Sequence, residues 1–306
     1  MSDLKLFRQT GSVVLELEGG AVALERSLQT MIEGNLETFF GVRFLASEFN
    51  TTHGGRMDTL GIDENNCPII IEYKRDLNEN VINQGLFYLD WLMDHRRDFE
   101  WLVLEKCGKD QAQSVDWSAP RLICIAGDFT KYDEHAVNQM NRNIELIRYK
   151  RFGDDLFLLE LLTSSTAKQS RVATRTLSSV PDEADYEEET QVEQSLKEAS
   201  KELLELYESL RSFLISLGDD VQERKLKVYI AFKRIKNFAT VNVNSGKQNL
   251  YVQLRLSPAE VQLESGFIEE VSEIGTWGTD DVRITINNLA DLDRAKPLIQ
   301  KSYEAT

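Results

Sequence analysis

Short stretches in which apolar and polar residues alternate, or in which apolar residues run unbroken between turn formers, predict strands over residues 12–18, 42–49, 56–62, 68–74, 100–105, 121–126, 144–152 and 156–162. Helical spacing predicts a helix over 21–36, with Leu24, Leu28, Met31 and Ile32 on one face. A second helix is expected over 79–95, carrying Val81, Leu89 and Leu92, and a third over 134–141. Strands and helices that interleave in this way define an α/β core.

The pattern fails from Thr163. Ser164, Ser165, Ser178, Ser179 and Pro181 lead into Asp182, Glu183, Asp185, Glu187, Glu188 and Glu189, so 163–190 reads as an exposed acidic linker. It divides a domain at 1–162 from another at 191–306, a division that a chain of 306 residues accommodates. The second domain opens on a helix over 192–217. Leu196, Leu203, Leu206, Leu210 and Leu214 fall near helical spacing there, a stripe suited to packing on its own domain or to pairing two copies as a homodimer. Strands follow at 226–232, 238–243 and 249–256, the last two joined by a turn at Asn244-Ser245-Gly246. A short helix from Pro258, a strand at 281–286 and a closing helix at 289–303 complete a smaller α+β domain.

Composition removes several classes of function. No apolar run reaches the roughly 18 residues of a membrane-spanning helix, so no membrane partner is expected. The first ten residues carry Asp3, Lys5 and Arg8 without an apolar signal core. Cys67, Cys107 and Cys124 form no CxxC pair, and His53, His95 and His135 are scattered, which speaks against a Cys/His zinc site and a disulfide framework. A cytoplasmic location fits these features. The net charge of −16 argues against a protein that coats nucleic acid by charge alone, but it leaves room for an acidic site that holds a cation.

Candidate chemistry concentrates where Gly54-Gly55-Arg56-Met57-Asp58 leads through a short turn at 64–67 into Ile69-Ile70-Ile71-Glu72-Tyr73-Lys74-Arg75. This is a β-hairpin by pattern. Side chains two apart on a strand share a face, so Glu72 and Lys74 point one way, with Asp58 able to come beside them from the neighbouring strand. Two carboxylates and an amine in one place are costly unless something organises them, and a divalent cation with hard oxygen ligands does so. Gln84 and Tyr88 stand four apart on the following helix, hence on one face.

Asp58 with Glu72-Tyr73-Lys74 resembles the acid and ExK elements of the PD-(D/E)XK nuclease superfamily, and Gln84 with Tyr88 resembles the QxxxY element of its RecB-like members. The Gly-Arg-Met-Asp-x-Leu-Gly phrase is similar to the NucS-like endonuclease catalytic domain. The likeness covers about residues 21–101, with weaker support to 162. It implies a restriction-endonuclease-like core, a mixed central sheet flanked by helices, and a Mg²⁺- or Mn²⁺-dependent nuclease acting on DNA in repair or defence. On that resemblance Asp58, Glu72 and the backbone carbonyl of Tyr73 would hold the metal, and Glu25 on the preceding helix would be a further acid. Glu33 and Glu37 on the same stretch compete with Glu25 for that role. Lys74 would help activate water, Gln84 and Tyr88 would orient the site, and Arg56, Arg75 and His53 would contact phosphate.

NucS-like enzymes carry a nucleic-acid-binding domain ahead of this core, which the first 20 residues here do not match, so their substrate preference does not carry over. Tyr229 to Leu256, with Phe232, Lys233, Arg234 and Lys236, resembles instead a bacterial C-terminal domain of uncharacterised function sometimes labelled a predicted transport protein. Lys225, Lys227, Lys233, Arg234 and Lys236 form either a nucleic-acid patch or a solvated face. Trp91, Trp101 and Trp117 read as packing residues rather than base-stacking platforms. A non-catalytic nucleic-acid-binding or assembly protein that keeps a nuclease fold is the alternative reading of the whole.

Overall fold

A computed structural model of the chain describes residues 4–22, 24–52, 54–75, 80–167, 190–271 and 281–306. His53, the acidic run at 182–189 and Trp277 lie outside the described residues. The chain divides into two units, Met1–Ala167 and Lys168–Thr306.

The first unit opens on a hairpin of β1 (Leu6–Thr10) and β2 (Val13–Leu17), which form a two-stranded sheet of their own. The alternation at 12–18 suggested one strand. Gly11, at φ 63°, makes the turn that doubles it. A short β3 (Gly19–Gly20) leads to α1 (Glu25–Glu33) and α2 (Leu36–Phe40), which divide the helix expected over 21–36. The break falls at Gly34 and Asn35. Leu28 and Ile32 are buried as their spacing required, whereas Leu24 precedes the helix and is exposed.

Next come β4 (Val42–Asn50), β5 (Arg56–Asp63) and β6 (Pro68–Tyr73) as an antiparallel meander. Then α3 (Asn80–Asp94), α4 (Arg96–Cys107) and α5 (Lys109–Gln113) carry the chain to β7 (Arg121–Ala126), which pairs parallel with β6. The strand expected at 100–105 is thus the middle of α4. Phe99 and Val103, four apart, are its buried residues, and a short apolar run does not by itself separate helix from strand. Finally α6 (Lys131–Gln139) leads to β8 (Asn143–Phe152), parallel to β7, and β9 (Leu156–Ser165), antiparallel to β8. Thr130 and Asp133 form a capping box that starts α6 three residues before the spacing suggested. β9 extends through Ser165, so 163–165, read above as linker, belongs to the sheet.

The resulting seven-stranded mixed sheet runs β3-β8-β7-β6-β5-β4, with β9 on β8. Ile70, Leu122, Cys124 and Leu146 pack with Leu89, Leu92, Phe99 and Val103 of α3 and α4. On the other face α1 lies against β5 and β6. A buried ion cluster ties three strands together. Arg121 donates to Asp63 Oδ2 at 2.7 Å, to Glu145 Oε2 at 2.9 Å and to Glu145 Oε1 at 3.1 Å, with side chains at most 1% exposed.

The second unit contains α7 (Gln191–Glu198), α8 (Lys201–Ser216), β10 (Gln222–Lys225), β11 (Ile230–Lys233), β12 (Asn237–Asn244), β13 (Asn249–Leu254), β14 (Ile268–Glu270), β15 (Val282–Ile286) and α9 (Leu289–Glu304). Its six-stranded sheet runs β10-β11-β12-β13-β15-β14, and every pairing is antiparallel. The helix expected over 192–217 breaks at Ala199, where Ser200 caps α8. Leu203, Leu206, Leu210 and Leu214 are buried in this unit's own core beside Phe232 and Val252, so the stripe that suggested a homodimer is covered from within. The segment 226–232 is not one strand: 226–229 turn between β10 and β11. Asn244 pairs with Asn249, which makes the hairpin turn four residues long, and Asn244 Oδ1 accepts from the Lys247 amide at 2.9 Å. Among the described residues no helix is long and apolar enough to cross a membrane.

Candidate metal-dependent site

Asp58 and Glu72 meet where β5 and β6 separate. The ladder pairs Thr59 with Ile71 and goes no further toward the Asp58 end. Beyond it the strands are joined through side chains. Asp58 Oδ2 accepts from the Tyr73 amide at 3.0 Å, and Glu72 Oε1 accepts from the Asp58 amide at 3.1 Å. Each carboxylate therefore fixes the backbone that carries the other. Glu72 is 0% exposed, and its second oxygen, Oε2, is buried without a hydrogen-bond partner.

Burial and the nearby Asp58 charge push the Glu72 carboxyl up to about 9 from its ordinary 4.5. Asp58 is also raised, chiefly by burial, against the opposing pull of the Tyr73 amide and Lys74. Two carboxyls held together with elevated pKa and an unpartnered oxygen are what a divalent cation relieves. The residues present thus fit Mg²⁺ or Mn²⁺. Among the described residues no three His, Cys, Asp or Glu side chains gather as a complete metal site. Two carboxylates suffice for Mg²⁺, which commonly keeps water and substrate phosphate as its other ligands.

Lys74 follows β6, and its amide donates to Ile125 O at 2.8 Å, which fixes the backbone at the sheet's end. Its ammonium donates to Glu25 Oε1 at 3.3 Å, while Glu25 Oε2 accepts from the Arg75 amide at 3.2 Å. Glu25 is thus placed against Lys74 rather than in the Asp58–Glu72 pair. Its competitors lie elsewhere: Glu33 accepts from the Thr59 hydroxyl at 2.6 Å, and Glu37 is exposed.

Gln84 and Tyr88 come together on α3. Gln84 Nε2 donates to the Tyr88 hydroxyl at 3.1 Å, and that same oxygen accepts from the Arg56 amide at 3.1 Å. The pair therefore anchors the start of β5, two residues before Asp58. Gly55 is required there, because a Cβ would lie 2.5 Å from the Tyr88 ring. Arg56 pairs with Glu48, and Arg75 is exposed just beyond Lys74. Trp91 is buried as expected. Trp101 is 69% exposed and is not a core residue.

The residue that sequence reasoning missed is Gln29. Its Nε2, buried on α1, lies 2.9 Å from Asp58 O, 3.1 Å from Ser47 Oγ and 3.0 Å from Glu33 Oε1. Glu25, Gln29 and Glu33 thus form one stripe at four-residue spacing that touches Lys74, Asp58 and Thr59 in turn. That spacing was the available signal.

Known proteins resemble this chain over different shares of its length. A family model described as a domain of unknown function, DUF5655, matches residues 192–306, which fits the resemblance read from Tyr229 to Leu256. An uncharacterised protein of Haemophilus influenzae is 29% identical over 309 residues, spanning 98% of this chain and 100% of that protein. Among solved structures, a repair endonuclease from Pyrococcus abyssi aligns at a TM-score of 0.29 and 19% identity over 42% of this chain. An EndoMS–dsDNA complex aligns at the same TM-score, identity and coverage. The chain spans less than half the length of either solved protein, 47% and 46%.

Proposed function

We propose that the first unit is a divalent-metal-dependent nuclease that hydrolyses phosphodiester bonds in DNA. The observation that carries the reading is the buried Asp58–Glu72 pair, with Glu72 Oε2 unpartnered and Lys74 at the end of the same strand. Asp58, Glu72 and the Tyr73 carbonyl would hold Mg²⁺ or Mn²⁺. Such an ion supplies Lewis-acid polarisation of phosphate and a lowered pKa for water. Asp58 keeps its geometry through the Tyr73 amide, and Glu72 through the Asp58 amide. The Lys74 ammonium, held by Glu25, donates toward the water or the developing negative charge. Gln84 and Tyr88 act through the backbone at Arg56, and Arg56 and Arg75 supply exposed positive charge for phosphate. The choice of DNA rests on the motif resemblance.

The test is a panel of single-stranded, duplex, mismatched and flapped DNA with Mg²⁺ or Mn²⁺, run beside Lys74→Ala. Metal-dependent cleavage that the variant loses by a factor of about 100 or more, with an unchanged melting temperature, supports the reading. No cleavage with either metal, or equal cleavage by the variant, overturns it. One observation favours a non-catalytic reading: among the described residues only two carboxylates meet, while Glu25 is turned to Lys74. A binding protein of that kind would retain DNA without cutting it, and calorimetry would show no Mn²⁺ heat dependent on Asp58 and Glu72.

A further inference from the structure

A row of three acids crosses three adjacent strands at the candidate site. Thr59 pairs with Ile71, so Asp58 stands opposite Glu72 one step on, where amide hydrogen bonds join the two strands. On its other side Ser47 pairs with Thr59 and Phe49 with Met57, which leaves Glu48 of β4 opposite Asp58. Neighbouring strands lie about 4.8 Å apart, so Asp58 has an acidic residue on each flank. Glu48 belongs to none of the motifs legible in the sequence.

The backbone of Glu48 is unusual. Glu48, Asn66 and Gln248 are the described non-glycine residues with positive φ, at 55°, 61° and 55°. Asn66 lies in the β5–β6 turn and Gln248 in the β12–β13 turn, whereas Glu48 lies inside a strand. A glutamate gains nothing by itself from the left-handed region, and such residues persist where the surrounding structure imposes them, often at functional sites. The packing shows what it does here. Ala46 and Leu60 meet the core under α3 and α4, and so do Phe49 and Met57, three residues along each strand. Strict alternation would send the second pair to the opposite face. The strand pair therefore changes faces at the Glu48–Asp58 step, as an irregular strand does when it re-aims a side chain beside a site.

The Glu48 carboxylate is held by Arg56 Nε, with the two side chains 34% and 60% exposed. Burial is the main cause that raises Asp58, and the Glu25 and Glu48 charges add to it, so Glu48 is close enough to act on that carboxyl. At the far end of the row, Glu72 Oε2 is buried without a hydrogen-bond partner. An acid engaged by an arginine is not offered to a metal. Partly exposed ion pairs are weak, however, so this one can open.

We propose that Glu48 is a third carboxylate of the cation site, held away from the Asp58–Glu72 pair by Arg56 in the free protein. The inference rests on the metal-dependent reading and adds a ligand from β4 that Glu25, engaged with Lys74, does not supply. Divalent cations take oxygen ligands, and a further carboxylate strengthens their hold through its charge. Arg56 is also the cation offered to phosphate, so an arginine turned to phosphate leaves Glu48 to the metal.

Calorimetric titration of the full chain with Mn²⁺, without nucleic acid, tests the pair through a double-mutant cycle. Arg56→Ala removes a positive charge near the site and so favours a cation in any case. Glu48→Gln supplies the background in which only that general effect remains. The expected result is about a 10-fold gain in Mn²⁺ affinity from Arg56→Ala in the parent, and less than about a 3-fold gain in Glu48→Gln. Arg56→Gln, which keeps the stem of the side chain, should give the same ordering, and neither change removes the Arg56 amide that Tyr88 holds. Equal gains in the two backgrounds, or no gain in either, overturn the proposal, and Mn²⁺ binding that still depends on Asp58 and Glu72 then leaves the metal-dependent reading standing. Absence of Mn²⁺ binding from every form overturns both.

Discussion

Replacing Glu72 by Gln should stabilise the metal-free protein, and the gain should grow with pH. The folded Glu72 carboxyl sits at about 9, against 4.5 as its ordinary value, because burial disfavours the ion and Asp58 repels it. Between those two values the folded chain keeps a proton that the unfolded chain has released. Stability therefore falls as pH rises through that window, by about 1.36 kcal/mol per unit for one group. From about pH 5 to pH 8 this single group removes about 4 kcal/mol, a large part of the roughly 5–15 kcal/mol that holds an ordinary domain. Glutamine keeps the oxygen that accepts from the Asp58 amide and replaces the titrating proton with an amide that can face the Asp58 carboxylate. The variant should match the parent near pH 5 and exceed it by several kcal/mol at pH 8.

Urea unfolding in the presence of chelator, followed by tryptophan fluorescence, measures this. Trp91, Trp101 and Trp117 all lie in the unit that holds Glu72. A Glu72→Gln variant that is less stable than the parent at pH 8, or a difference that does not widen with pH, would refute the reasoning. It would mean that Glu72 is ionised and satisfied in the free protein, and a cation at that oxygen would then have no unmet charge to relieve.

Three further outcomes follow from named contacts. Gln29→Ala removes the amide that holds Asp58 O, and should weaken Mn²⁺ binding by about 10-fold in a calorimetric titration, the usual cost of losing an outer partner; unchanged affinity would remove Gln29 from the site. Gly55→Ala drives a methyl into the Tyr88 ring and should cost about 1–3 kcal/mol in urea unfolding, with less than additive loss when combined with Tyr88→Ala; simple additivity would show that the two do not touch. Arg121→Met leaves Asp63 and Glu145 buried without their cation, and should cost about 3–5 kcal/mol or prevent folding; a loss under about 1 kcal/mol would show that the cluster relaxes.

The legible parts of the chain were those where one period dominates. The run from Pro68 to Tyr73 and that from Arg121 to Ala126 are buried on both sides and read correctly as strands. The α4 segment failed because few of its residues are buried: only Phe99 and Val103 are, while Trp101 and Leu104 are exposed, so its apolar content carried no clear period. At the C-terminus α7 and α8 merged into one helix because Ser200 interrupts the backbone without interrupting the leucine spacing. At the candidate site, alternation brings Asp58 beside Glu72, where amide bonds join the two strands, whereas Lys74 lies just past the strand and its ammonium meets Glu25.

The missing member, Gln29, belongs to a different kind of pattern. Leu28 and Ile32 mark the buried side of α1, and Gln29 and Glu33 each follow them by one position, so the polar stripe borders the apolar one instead of opposing it. A solvated helix face lies opposite the buried residues. A polar stripe bordering the core has to be satisfied from within, and here it is satisfied by Asp58 O and the Thr59 hydroxyl. Glu25, Gln29 and Glu33 are therefore one feature, the helix edge that fixes β5 and the start of Lys74 at once. This explains why only Glu25, at the end of the stripe where the strands run out, reaches Lys74.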